Sequence, residues 1–233
     1  MSSTLGVAAF VALFLAAILF LVHVVRHGRR LLAEEQAALS AVSATHDWRL
    51  QRLPCQTAGF LLSGVASDGI AWQLRREPSS ASGTDSDTPS ASWSTDRVQW
   101  PAPFLALQPR AAHGRLQGSA ALALADQLYR HVKPGASPLP LKKLYDDGQE
   151  WSLGDPGLAT RFAVVTTDAG LAARLFTPEV LQSLKDWPRP TVVADLGPRI
   201  VVRPVHAPLD RGAIERTVEL GLALARAALR AGA

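Results

Sequence analysis

The 233 residues are 48% hydrophobic with a single cysteine, Cys55: chain enough for one ordinary domain with a sizeable core, and no intramolecular disulfide to hold it. The formal net charge is +4, of which Arg26, Arg29 and Arg30 supply three, leaving +1 for the rest. That balance, with no basic stripe interleaved with stacking aromatics, excludes a nucleic-acid face.

Residues Leu5 to Val25 carry no Asp, Glu, Lys or Arg, and fourteen of them are Leu, Ile, Phe or Val. As a helix this run is about 31 Å long, against a hydrocarbon core of about 30 Å. Its insertion gains roughly −4 to −8 kcal/mol. Met1 to Thr4 lack the positive charge of a signal peptide, so residues 5–25 are expected to be an uncleaved transmembrane helix. Arg26, Arg29 and Arg30 follow the run, and the arginine bias places the soluble part in the cytoplasm, on a single-pass protein of the inner membrane. These three arginines are the expected membrane-interface residues, at about 1 kcal/mol each against anionic headgroups. His23 and His27 sit at the same edge and read as interfacial polar anchors.

Residues 26–44 are expected to carry the helix onward as a stalk. Leu32, Leu39 and Val42 recur on one face, which would suit homo-oligomerisation along it. Residues 45–233 form the soluble domain. Trp48 to Gln51 alternate like a half-buried strand. Gly59–Ala66 and Ile70–Arg75 flank Ser67-Asp68-Gly69, a strong hairpin signal. Residues 77–96 are nearly all Ser, Thr, Ala, Pro, Gly and Asp, which predicts a disordered insertion. Strand-like pieces follow at Arg97–Trp100 and Phe104–Leu107. A helix is expected over Gln117–Val132, then irregular chain from Ser137 to Leu158. In the last third, Arg161–Val165 reads as a strand and Asp168 as a helix cap. Thr177-Pro178-Glu179 opens a second helix, Thr191–Ala194 and Ile200–Arg203 are strands, and Asp210 caps a long final helix.

No catalytic, cofactor or metal pattern stands out. Gly-x-Ser-x-Gly and the phosphate loops are absent, and no two histidines make an HxxxH on a soluble helix. Cys55 reads as a structural thiol and Asp146-Asp147 as a solvated turn. Trp48, Trp72 and Trp100 fall on strands and are expected in the core.

The stretch Phe162-Ala-Val-Val, Asp168, Ala172-Ala173-Arg174-Leu175, Thr177-Pro178-Glu179-Val180, Leu184 and Ile200-Val201-Val202 resembles uncharacterised bacterial membrane-anchored proteins of a domain-of-unknown-function family. The resemblance implies a small cytoplasmic α+β module on a membrane anchor, and no known site. The expected fold is α+β, an antiparallel sheet with helices packed on one face. The expected role is a membrane-tethered, non-enzymatic interaction or assembly module whose partners are the bilayer and another protein. The alternative is a membrane-associated enzyme whose residues form no linear motif.

Overall fold

A computed structural model of the chain describes residues 2–53, 59–76, 91–100, 104–116, 140–197, 199–204 and 209–232. Among the described residues the strands are β1 (Arg49–Arg52), β2 (Phe60–Val65), β3 (Ala71–Arg76), β4 (Ser92–Thr95), β5 (Leu105–Pro109), β6 (Gln149–Trp151), β7 (Phe162–Thr166), β8 (Val192–Leu196) and β9 (Ile200–Pro204). They form one sheet in the order β1-β2-β3-β4-β9-β8-β5-β7-β6, antiparallel at every pairing. The helices are α1 (Ser2–His46), α2 (Arg110–Leu116), α3 (Pro140–Asp147), α4 (Pro156–Ala159), α5 (Ala169–Leu175), α6 (Pro178–Lys185) and α7 (Arg211–Arg230). The class is α+β.

Local chemistry accounts for several boundaries. Gly69 turns the β2–β3 hairpin at φ +80°, where a side chain would be strained. Asp168, Thr177 and Asp210 each accept a backbone N–H three residues on, which starts α5, α6 and α7. The buried stripe of α7, including Ile214, Val218, Gly221, Leu224 and Ala228, lies across β4 and β9. The helices α1, α5 and α6 pack beside α7. At the far end of α7, Arg226 donates to Asp68 at 2.6 Å and to Glu179 at 3.1 Å, tying the helix to the hairpin turn and to α6. The Arg226 guanidinium holds the Asp68 carboxyl below its usual range.

The helices do not all lie on one face, as the sequence led us to expect. In the β5–β7 register Leu107 meets Val164 while the adjacent pair is Ala106 with Val165. Neighbouring strand residues point to opposite faces. Leu107 and Val164 join the main core under α7, whereas Ala106 and Val165 pack with Leu144 and Tyr145 of α3. These strands are buried on both sides, as continuous apolar runs such as Phe162-Ala-Val-Val require. The covering helix α3 lies in the Pro- and Gly-punctuated stretch that reads as irregular, together with β6 and α4.

Two further differences concern β4 and the stalk. Residues 92–95, the end of the expected disordered insertion 77–96, are a strand in the middle of the sheet. One side chain explains it, because Trp93 is fully buried beneath α7. Residues 77–90 and the helix expected at 117–132 lie outside the described residues. Arg97–Trp100 are not a strand. Of the stalk face, Leu39 and Val42 are buried in the chain's own core, leaving Leu32 exposed. The stripe that would have suited homo-oligomerisation is therefore largely covered within one chain.

At Gly221 the backbone of α7 comes close to the sheet. A Cβ there would lie 2.4–2.5 Å from the Trp93 indole, a rigid ring with no room to move. Gly221→Ala is expected to destabilise the domain by about 1–3 kcal/mol, read as a lowered thermal midpoint. An unchanged midpoint would mean that α7 does not sit this close to β4.

Candidate functional site

The feature that distinguishes this domain is the junction between α1 and the sheet. In the upper part of α1 the described side chains, Phe14 and Ala16 to Val25, are all exposed, with Leu19 at 69% and Phe20 at 70%. Such a row of large apolar groups is not left bare to water without a use. Among the described residues no helix is long and apolar enough to cross a membrane. The side chains of residues 2–13 and 15, which belong to the same helix, lie outside that statement.

Further along, the same helix is locked to the domain by a buried charge. Glu35 and Arg76 are almost wholly buried, and Arg76 Nη1 donates to Glu35 Oε2 at 2.5 Å. The second carboxylate oxygen accepts the backbone N–H of Leu209, just before α7, at 2.8 Å. The Arg76 guanidinium also lies 5.3 Å from the Phe60 ring centroid. One carboxylate thus joins α1, β3 and the start of α7, with β2 against the arginine. Leu39 and Val42 bury the next turns, and His46 closes the contact on Glu215 at 3.2 Å while stacking on Trp48. Two charges in a core cost several kcal/mol of desolvation each, so this pair contributes register more than stability. It fixes which face of α1 meets the sheet.

Of the membrane-interface residues expected from sequence, Arg26, Arg29 and Arg30 are all exposed on α1, between the bare apolar turns and the buried Glu35. Arg30 pairs with Glu34 at 2.8 Å. The rings of His23 and His27 stack 6.2 Å apart on the same helix.

A second cluster, on the opposite face of the sheet, escaped the sequence reading. Gln108 of β5 lies 2.8 Å from His113 Nδ1 of α2, and the Tyr145 ring of α3 stacks on that imidazole at 6.3 Å. His113 Nε2 is buried without a hydrogen-bond partner, 3.6 Å from Glu150 of β6. Glu150 is also paired with Arg110 at 2.6 Å. Arg110 donates in addition to the carbonyls of Ala159 and Phe162. Burial pushes the Tyr145 phenol up from its ordinary pKa, and a hydrogen bond with Gln108 opposes this. No linear signal could have found the group, because its members come from β5, α2, α3 and β6. A shallow cleft of about 330 Å³ elsewhere on the sheet is lined by Ser63, Gln73, Ser94, Asp96 and Arg97. Its polar groups are largely taken: Gln73 by Ser94, Arg97 by the Gly69 carbonyl, and Asp96 by Arg199. Among the described residues no group of three His, Cys, Asp or Glu could hold a metal. Cys55 lies outside them, and Asp146 and Asp147 are exposed.

No family model matches this chain, and no curated protein matches it. Among solved structures, the mycobacterial trehalose monomycolate transport factor A, TtfA, is similar over 84% of this chain and 95% of its own, at 10% identity and a TM-score of 0.45. At that score the likeness carries neither fold nor function from one chain to the other.

Removing one member of the buried pair leaves the other uncompensated. Glu35→Ala is expected to cost about 3–5 kcal/mol, measured by denaturant unfolding of the full chain. Joint replacement, Glu35→Leu with Arg76→Met, should recover most of the loss. A double variant destabilised by the sum of the two single changes would show that the pair is not coupled.

Proposed function

We propose that this protein is a membrane-tethered, non-enzymatic interaction or assembly module of the inner membrane, anchored by Leu5–Val25, with its folded domain in the cytoplasm. One observation carries the reading: the bare apolar turns of α1 belong to a helix whose other half is built into the domain core. A water-exposed helix would have no reason to keep residues 14–25 uncharged and largely apolar, and hydrocarbon supplies one. The orientation rests on Arg26, Arg29 and Arg30 following the apolar run. That the polar groups of the described cleft are largely taken by their own contacts favours an interaction module. The unpartnered Nε2 of His113 is the one observation that favours an enzyme instead.

The full chain is expected to stay with membranes through carbonate and high-salt washing, and release by salt alone would defeat the anchor. A reporter active only outside the cytoplasm, fused after Ala233, is expected to stay silent. Activity there would reverse the orientation. Neutralising Arg26, Arg29 and Arg30 together should mix the two topologies, because the charge bias is then gone.

A further inference from the structure

The docking of α1 decides which end of the domain lies nearest the anchor. Arg76, held by Glu35, is the last residue of β3, and it pairs across the sheet with Phe60, which pairs in turn with Arg52 of the edge strand β1. Strands are about 4.8 Å apart, so Arg52 lies about 10 Å from Arg76 along this row. The opposite end of the same strands carries Val65 and the Asp68-Gly69 turn, beside the far end of α7. Thus the row Arg52–Phe60–Arg76 is the end of the sheet that faces the apolar turns of α1.

Distances along α1 complete the geometry. Ten residues separate Val25 from Glu35, about 15 Å of helix. The headgroup layer takes roughly 5–7 Å of that, which leaves the sheet end about 8–10 Å above it. This is close to the Debye length of about 8 Å at physiological ionic strength, before the reach of an arginine side chain is counted. Arg26, Arg29 and Arg52 are exposed and make no ion pair among the described residues, and Arg30 shares its charge with Glu34. Among the described residues the exposed Asp210, just before α7, lies near this end, and it is shared with Arg216 at 3.9 Å.

We infer that Arg26, Arg29 and Arg30, around α1, and Arg52 of β1, on the domain beside it, together attract anionic phospholipid headgroups, with the domain held close above the bilayer by the Glu35–Arg76 lock. This rests on the anchor reading above. It adds that the domain, and not only the helix, selects acidic lipid. The charge that the arginines meet is the phosphate diester of the headgroup, and free phosphate offers no surface large enough to span all four.

The test uses the full chain reconstituted in vesicles of phosphatidylcholine mixed equally with phosphatidylglycerol. Electron paramagnetic resonance of trace spin-labelled lipid measures the fraction of each headgroup that the protein immobilises. Spin-labelled phosphatidylglycerol is expected to associate severalfold more strongly than spin-labelled phosphatidylcholine, with the preference falling as salt rises. Arg52→Gln should lower that preference by up to about fivefold while leaving the thermal midpoint unchanged. The triple change Arg26→Gln, Arg29→Gln and Arg30→Gln should remove most of it. Equal association of both lipids would overturn the proposal and leave the anchor standing. A normal preference in the Arg52→Gln protein would overturn the part assigned to the domain. No immobilised lipid of either kind would overturn the anchor reading, and this proposal with it.

Discussion

The carboxylate of Glu35 organises this molecule. It lies on a helix that would otherwise be free to rotate or swing, and it accepts from Arg76 on β3 and from the Leu209 amide at the entry to α7. Apolar contacts such as those of Leu39 and Val42 would tolerate a slip of α1 by part of a turn. A buried ion pair does not, since either charge left alone is far less stable than the pair. The orientation of the domain relative to its N-terminal helix therefore follows from one side-chain pair 41 positions apart.

The sheet makes that arrangement possible. Its β1–β4 and β9 half lies against α1 and α7, with Trp93 meeting the backbone of α7 at Gly221. The β5–β7 half is covered on its second face by α3, where Ala106 and Val165 meet Leu144. That second layer encloses His113 and Gln108, so these polar groups are framework elements of the packing, with Tyr145 and Glu150 beside them.

Much of the fold was legible from local pattern. The hairpin at Asp68-Gly69 and the caps at Asp168, Thr177 and Asp210 are local effects, and short-range chemistry decides them. What could not be read depended on distant partners. Ser92 to Thr95 look like the polar insertion before them, and only the groove beneath α7 makes Trp93 the centre of a strand. The helix α3 sits among prolines and aspartates, and it is held by an apolar patch supplied by β5 and β7. For the site, the charge step after Val25 was visible in the sequence. Glu35 looked like one more acid on a stalk, because its partner lies in another element.

The central claim is that α1 and the domain move as one body. Spin labels at Gly28→Cys, which faces open space on α1, and at Val65→Cys, exposed at the far end of β2, in a Cys55→Ser background, report it directly. Pulsed dipolar spectroscopy of the full chain should give one narrow distance distribution, the same in detergent and in vesicles. A broad distribution, or one that shifts between the two media, would show that the helix swings free of the domain and would contradict the account.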